Sequence, residues 1–350
     1  MWSIKCRSAL TVVTIAVSVT ISASPARAQA WLPAQGEGTV SFLFQDTYMK
    51  YHYFATTPYD RGHIEGDTLL VDVTYGVTDK LAVSVGIPWV ASKYNGPFPH
   101  PLAQDVLAGL SPVRPNPIDD GTYHSTFQDL RFDVRYNVTR KGIVLTPFVG
   151  SIVPSHDYTY FAHSAAGRDL NELQAGVLGA KLLDSLVPGL FVQGNYSYGF
   201  TEQVLDVSHN RSVMGLELGY FVTPKLRVLA LTNGQVTHGG IDFVAPPCQL
   251  CPAPRPSLPN VDSAVVFTHH DQIDRVNFLN VGGGAAYALS ENLDVFGSVI
   301  HAVAQRNGHG IDRGLSIGLS WSFLTPQARN RALASADRSL AKCLCEKKAG

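Results

Sequence analysis

The stretch of sequence that decides the fold runs from Leu69 to Trp89 and reads LLVDVTYGVTDKLAVSVGIPW. Apolar side chains occupy every second position on both sides of the short stretch 78–80: Leu69, Val71, Val73, Tyr75 and Val77, then Leu81, Val83, Val85, Ile87 and Trp89. Successive side chains of a β-strand point to opposite faces, so each run has one apolar face and one face of small or polar residues. The stretch therefore predicts two neighbouring strands joined by a tight turn.

The same alternation recurs along the chain, most clearly in residues 130–138 and 315–323. We predict twelve strands, at about 38–50, 65–77, 80–90, 125–138, 142–153, 171–183, 189–201, 211–222, 225–236, 274–288, 292–304 and 312–323. The connections between these strands alternate strictly between short and long. Short turns at one end and long loops at the other are typical of a transmembrane barrel, in which the turns face the periplasm and the loops face outward.

The two faces of the predicted strands favour a membrane environment. One face carries Gly, Ser and Thr with charges near the middle, and the apolar face ends in aromatic residues: Tyr75, Trp89, Tyr136, Tyr198, Trp321 and Phe323. This pattern indicates lipid outside, water inside and an aromatic girdle at each interface. Lipid cannot satisfy unpaired backbone groups, so a sheet within it must close on itself. We predict an all-β fold, a transmembrane antiparallel β-barrel of about 12 strands with long outward loops and short periplasmic turns; a soluble all-β periplasmic protein is the alternative.

The composition excludes several classes of protein. The 350 residues include 27 Lys and Arg against 28 Asp and Glu, and only 16% are charged, whereas soluble domains average about 25%. The near-neutral charge argues against a nucleic-acid partner, and the apolar fraction of 45% is too high for a disordered chain. A lipid bilayer is therefore the expected partner.

The two ends of the chain differ from the predicted barrel. Lys5 and Arg7 precede an apolar stretch, and Ala26-Arg27-Ala28 follows it, which is the order of a secretory signal peptide. We predict a signal peptide at 1–28, the barrel at 29–323 and a periplasmic tail at 324–350. For the tail, the sequence favours a mobile segment over a partial plug or a contact with anionic cell-wall polymer.

Short motifs carry a resemblance to a known family. The unit Tyr75-Gly76-Val77-Thr78-Asp79-Lys80-Leu81 recurs in related form at 220–226 and 287–293, and further motifs are Val85–Trp89, Phe127–Leu130 and Pro147–Gly150 with Pro154. Over residues 36–323 the chain resembles the outer-membrane family named for the meta-pathway of phenol degradation. The family's Gly-x-Gly-Asp before the fourth strand is here Ser125–Asp129, and the residues after Phe323 are additional. The resemblance implies an outer-membrane barrel that carries small apolar or aromatic compounds.

Five ionisable residues on the polar faces are the candidates for a constriction inside the barrel: Asp72, Arg131, Asp133, Arg135 and Glu217. Opposed charges in a narrow bore can set a transverse field that selects solutes, or they can pair and fill the interior. The function expected is therefore a channel or transporter for small, apolar or aromatic solutes, with no cofactor and no catalytic site. The alternative is a non-transporting barrel, either a surface-interaction scaffold or an outer-membrane phospholipase, whose candidate histidine would be His301.

Cysteine and histidine leave two further hypotheses open. Cys248 and Cys251 in a long loop suggest a local disulfide, because a four-thiolate zinc site with Cys343 and Cys345 would have to form across the bilayer. Seven loop histidines could form a metal-binding or proton-sensitive rim, although ordinary polar loops are the simpler interpretation: His156, His163, His209, His238, His269, His270 and His309. The loops 91–124 and 237–273 are rich in proline, which fits either lids that fold inward or disordered surface loops.

The last predicted strand, Gly314–Phe323, ends in alternating apolar positions and an aromatic residue. Outer-membrane barrels commonly finish in this way, and the signal is read by the barrel assembly machinery. We therefore expect that machinery to be a partner through Trp321 and Phe323.

Overall fold

The structure is a computed structural model that describes residues 30–249, 251–331 and 333. The strands are β1 Glu37–Met49, β2 His52–Phe54, β3 Thr57–Tyr59, β4 His63–Gly76, β5 Leu81–Asn95, β6 His124–Phe127, β7 Leu130–Tyr136, β8 Ile143–Val153, β9 Glu172–Leu182, β10 Leu190–Thr201, β11 His209–Phe221, β12 Leu226–Gly239, β13 Asn277–Ser290, β14 Leu293–Arg306, β15 Gly308–His309 and β16 Arg313–Leu324. The short helices are α1 Ala103–Leu107, α2 Ser263–Thr268 and α3 His270–Ile273. None of the helices within the described ranges has the length and apolar character needed to cross a membrane.

The sheet closes into a barrel in which neighbouring strands are antiparallel. Its order is β4-β1-β16-β14-β13-β12-β11-β10-β9-β8-β7-β5, and β5 pairs again with β4. The first and last strands meet along their whole length, with Val40 opposite Trp321. Strands β6 and β7 both pair with β5 and form one wall strand, interrupted by an irregularity at Gln128 and Asp129. Counted in this way the barrel has twelve wall strands, so the predicted fold class is confirmed.

The period of two in the sequence explains why these segments form the wall. In β11, the apolar Leu216, Leu218 and Tyr220 are exposed on the outer face, whereas Glu217 between them is buried inside. The same holds in β16, where Ile317 is 59% exposed although it lies in the middle of a paired strand. An apolar belt of this kind is stable only when lipid covers it. The fold and its exterior are those of a barrel of the Gram-negative outer membrane.

The connections sort by length as the sequence predicts. The long ones, called outer loops 1 to 6 below, are residues 50–62, 96–123, 154–171, 202–208, 240–276 and 307–312. The short turns lie at 77–80, 137–142, 183–189, 222–225 and 291–292. All outer loops therefore lie at one end of the barrel, and all turns lie at the other.

The predicted signal peptide at 1–28 lies outside the described residues, as do Cys343, Cys345 and nearly all of the tail beyond Arg331. The beginning of the tail differs from the expectation of a mobile segment. Residues 326–331 are helical, Ala328 is 6% exposed, and the Thr325 amide donates to the carbonyl oxygen of Gly36 at 2.8 Å. The Arg331 guanidinium also donates to the side chain of Gln35 at 2.7 Å. This part of the tail packs against the residues that precede β1.

Candidate functional site

The bore of the barrel is lined by the small and polar faces of the wall strands. Buried hydroxyl side chains make hydrogen bonds between neighbouring strands, such as Ser41 Oγ to Ser320 Oγ at 3.1 Å and Thr74 Oγ1 to Ser84 Oγ at 2.9 Å. These side chains fill little space, so the longer ionisable side chains among them decide the shape and the electrostatics of the bore.

Asp72 and Arg131, two of the predicted constriction residues, lie on opposite sides of Gly86. Asp72 on β4 is opposite Gly86 on β5, and Gly86 is opposite Arg131 on β7. A Cβ atom on Gly86 would lie 2.7 Å from Asp72 Oδ1 and 3.5 Å from Arg131 Cβ. Because Gly86 has no side chain, the two opposite charges can approach each other across the middle strand.

Asp133 and Arg135, two further predicted residues, form an ion pair along β7. Arg135 donates from Nε to Asp133 Oδ1 at 2.6 Å and from Nη2 to Oδ2 at 2.8 Å. Two parallel bonds of this kind are strong and fix the guanidinium in the plane of the carboxylate. Four of the five predicted residues are therefore brought together on the wall formed by β4, β5 and β7.

Glu217, the fifth predicted residue, lies apart from the others. Its strand β11 is six places from β4 in the order of the barrel, so Glu217 faces the Asp72 wall from across the bore. The residue is 4% exposed, and its carboxylate accepts a hydrogen bond of 2.8 Å from Gln193 Nε2. Glu217 thus belongs to the lining of the bore and not to the cluster around Arg131.

Two ion pairs that the sequence did not single out repeat the arrangement seen at Gly86. Glu172 on β9 and Arg211 on β11 meet at 2.5 Å across β10, where a Cβ atom on Gly199 would lie 2.5 Å from Glu172 Oε1. Arg227 on β12 and Asp294 on β14 meet at 3.0 Å across β13, whose facing residues include the small Ala286. The sequence feature that could identify these pairs is a small residue on the strand between two opposite charges. Recognising it requires the register of the three strands.

The periplasmic opening of the bore is crossed by residues 30–36. Ala30 is fully buried, and its carbonyl oxygen accepts hydrogen bonds from Thr146 Oγ1 on β8 at 2.7 Å and from Asn137 at 3.3 Å. At the other end of the segment, the Gly36 amide donates to the carbonyl of Gly76 on β4 at 2.8 Å. The segment therefore runs from one wall to another beneath the charged layer, and it narrows this opening.

The outer opening is covered by the outer loops, which pack against one another instead of standing apart as disordered surface loops. Five histidines from five different loops meet at the centre: His52 of loop 1, His100 of loop 2, His163 of loop 3, His270 of loop 5 and His309 of loop 6. These loops leave the barrel from all around its rim, so they can meet only above the bore. We call this layer the loop cap.

Hydrogen bonds between loops hold the loop cap together. Asp119 of outer loop 2 accepts from the amides of His163 and Ser164 of outer loop 3 at 3.1 and 3.0 Å. In the same region Asn116 Nδ2 donates to the carbonyl of Phe161 at 2.7 Å, and Gln272 Nε2 of outer loop 5 donates to the carbonyl of Arg168 at 2.9 Å. Backbone carbonyls and amides in these irregular segments thus find partners in other loops.

The central histidines differ in charge. Burial, together with neighbouring histidines, lowers the pKa of His52 and His163 well below 6.5, and burial lowers the pKa of His309 to about 4. Burial also acts to lower the pKa of His100, but the Asp271 and Asp119 carboxylates outweigh it, and the pKa is raised. At neutral pH, His52, His163 and His309 are therefore neutral imidazoles, each with one unprotonated ring nitrogen.

Only part of the predicted histidine rim comes together. His163, His270 and His309 belong to the loop cap, whereas the other four make separate contacts. His156 contacts Thr126 at 2.9 Å, His209 contacts the Val207 carbonyl at 3.0 Å, His238 contacts Ser212 at 2.8 Å, and His269 contacts the Val265 carbonyl at 2.9 Å. His52 and His100 were not in the predicted set, since nothing in their local sequence distinguishes them from other loop histidines.

Two other candidates have defined places. Cys248 and Cys251 form a disulfide in outer loop 5. His301 lies on the outer face of β14, and its Nδ1 is 2.5 Å from the backbone carbonyl oxygen of Asp312. This position is outside the bore, beside the end of outer loop 6.

Comparison with known proteins identifies the fold. No protein-family profile and no curated protein matches the sequence. The crystal structure of the COG4313 outer membrane channel from Pseudomonas putida F1 is similar with a TM-score of 0.61 and 12% identity, covering 86% of this chain and 100% of that one. The NanC porin (TM-score 0.44, 8% identity, 82% and 99% covered) and the translocator domain of the autotransporter NalP from Neisseria meningitidis (0.44, 13%, 91% and 96%) also match. The first likeness agrees with the predicted outer-membrane barrel.

Proposed function

We propose that the protein is a gated outer-membrane channel for small uncharged solutes, including aromatic ones. The observation that carries this proposal is that four neighbouring pairs of opposite charges line the bore, with Glu217 hydrogen-bonded apart from them, while the outer loops cover one opening and residues 30–36 cross the other. A bore of this kind has little net field to attract or reject an ion. Its covered openings argue against a wide, permanently open pore.

Apolar side chains on the inner face support passage of aromatic solutes. Leu229 shares the inward face of β12 with Arg227, and Phe296 shares that of β14 with Asp294. Phe191 on β10 is 4% exposed, and its ring lies 6.5 Å from that of Trp31 in the segment that crosses the periplasmic opening. Binding sites for small molecules generally combine such apolar surfaces with a few polar groups.

Permeation of a matched pair of solutes tests the proposal. Purified protein is reconstituted into liposomes, and swelling is followed with methyl glucoside and with phenyl glucoside, which are both neutral and differ by an aromatic ring. We expect phenyl glucoside to enter at least as fast as the smaller methyl glucoside, because inward aromatic and aliphatic side chains favour its ring. Swelling that follows size alone would contradict the aromatic preference, and no swelling with either solute would contradict the channel.

The role of the charged layer is tested by Arg131→Ala. Loss of this cation leaves Asp72 without its opposite charge across Gly86, so we expect the ratio of cation to anion permeability to rise by about two-fold or more. The readout is the reversal potential of the reconstituted channel in a salt gradient. Arg140→Ala in the exposed turn 137–142 is the matched control. Equal reversal potentials for both variants would show that Arg131 is not part of the constriction.

The alternative of a non-transporting barrel makes the opposite prediction in the same experiment. A scaffold or enzyme would give intact vesicles with no swelling. Hydrolysis of phospholipid that is lost in His301→Gln would identify the enzyme, although His301 lies on the lipid-facing side.

We propose further that Trp321 and Phe323 are read by the barrel assembly machinery. Their rings stack 5.2 Å apart on the outer face of β16, and that strand pairs with β1 to close the barrel.

A further inference from the structure

Three imidazole nitrogens in the loop cap point at one common space. His309 Nε2 lies 3.0 Å from His52 Nδ1 and 3.2 Å from His163 Nδ1, and the three residues each offer a ring nitrogen within 4.8 Å of those of the other two. The three residues come from outer loops 1, 3 and 6, and His52 is 8% exposed. We call them the three-histidine cluster.

Neutral imidazoles cannot supply a separate proton for each contact in this cluster. His163 Nε2 lies 3.0 Å from the carbonyl oxygen of Phe98, which can only accept, so the proton of a neutral His163 is on Nε2. Nδ1 of His163 therefore presents a lone pair toward His309 Nε2. If His309 Nε2 carries a proton, that N–H either serves two acceptors or faces a second N–H on His52 Nδ1. If it does not, two lone pairs face each other at 3.2 Å.

We propose that the three-histidine cluster binds one divalent transition-metal ion of the zinc type. A cation at the centre accepts all three lone pairs at once and removes the conflict between them. Zinc–nitrogen bonds of about 2.0–2.1 Å in tetrahedral geometry place the nitrogens roughly 3.3 Å apart, which is close to the observed contacts. The bond from His163 to the Phe98 carbonyl is the kind of outer contact that orients a metal-binding imidazole.

Neighbouring sets of possible ligands are explained without a metal. His100 lies between two carboxylates, 3.6 Å from Asp119 and 3.4 Å from Asp271, and these contacts already balance a charged imidazolium. The three-histidine cluster has no carboxylate among its three ligands, so imidazole-binding ions fit it better than calcium or magnesium.

The metal would join three loops that are far apart in sequence. His52 follows β1, His163 lies between β8 and β9, and His309 precedes β16. A bound ion therefore holds the loop cap closed over the bore, which gives the extracellular side a metal-dependent gate.

Cobalt binding to the full chain tests the site. The protein is prepared without a histidine tag and with Cys343→Ser and Cys345→Ser, so that the tail thiols cannot bind the ion. Titration with Co²⁺ should give visible d–d absorption that saturates at one ion per chain, and Zn²⁺ should displace it. In His163→Gln and His309→Gln we expect the affinity to fall by about 100-fold or more. His124→Gln, at the start of β6 and outside the cluster, is the matched control.

A second measurement uses the unaltered histidines. Zinc should slow proteolysis of outer loops 1, 3 and 6, and a chelator should restore the original rate. Folding of each variant is checked by the difference in gel migration between unheated and heated samples. Absence of saturable Co²⁺ binding to the folded chain, or equal binding by the His163→Gln variant, would overturn the site; neither result depends on whether solutes pass through the barrel.

Discussion

At the scale of the residue, the bore is organised by opposite charges that meet over small residues. Glu172 and Arg211 meet over Gly199, and Arg227 and Asp294 meet over the strand that carries Ala286. The sequence shows which positions face inward, because the period of two is unambiguous in β4, β5 and β7. It does not show which charges pair, because a pair across three strands depends on the register of all three.

Removing one member of such a pair should destabilise the folded barrel. Arg227 is 2% exposed, so Arg227→Met leaves the Asp294 carboxylate buried without its cation. We expect a loss of about 3–5 kcal/mol in the free energy of unfolding. The double variant Arg227→Met/Asp294→Leu should recover most of this loss, because no charge is then left unpaired. Urea unfolding in lipid vesicles, followed by tryptophan fluorescence, measures both; an equal loss in the double variant would show that the pair itself stabilises the barrel.

At the scale of the element, inward aromatic rings lie over glycines of the neighbouring strand. A Cβ atom on Gly219 of β11 would lie 2.0 Å from Cζ of Phe191 on β10, and one on Gly176 would lie 2.6 Å from Cε1 of Phe148. Rings placed over a glycine cover its exposed backbone. Strand bounds were predictable from the alternation to within a few residues. The irregularity at Gln128 and Asp129 was not, because it follows from the pairing of two segments with β5.

Gly219→Ala should displace the ring of Phe191 into the bore. The three heavy atoms nearest to the new methyl group all belong to this ring, so we expect a loss of about 1–3 kcal/mol in the free energy of unfolding, together with lower conductance. In a Phe191→Ala background the same substitution should cost much less, since the ring is absent. A double-mutant cycle by urea unfolding measures the difference, and additive costs would exclude the contact as the cause.

At the scale of the whole molecule, the barrel separates a lipid-facing surface from an aqueous bore. The sequence predicted this division, the number of strands and the side on which the loops lie. It could not predict the loop cap or the segment that crosses the periplasmic opening. The cap brings together His52 and His309, which are 257 residues apart, and irregular loops carry no periodic pattern that reports such contacts.

The division between the two surfaces is tested by placing one charge on each side of the wall. Leu216 on β11 is 52% exposed on the outer face, and Asn195 on β10, opposite Gly215, faces the bore. We expect Leu216→Arg to cost about 2–4 kcal/mol of stability in a bilayer, and Asn195→Arg to cost less but to reduce conductance. Unfolding in vesicles and single-channel recording give the two readouts. A larger cost for Asn195→Arg would reverse the assignment of the faces.

The pairing of β2 with β15 indicates the order in which parts of the barrel fold. Strands β1 and β16 lie at opposite ends of the chain, so we expect their junction to form after the pairings of strands that are neighbours in sequence. Just outside this junction, His52 of β2 stands opposite His309 of β15, and the two short strands extend across it. We expect the β2–β15 ladder to assemble after the barrel has closed. Protection of its amides during refolding should therefore appear after that of the wall, which makes this small ladder a reporter of the final step in biogenesis.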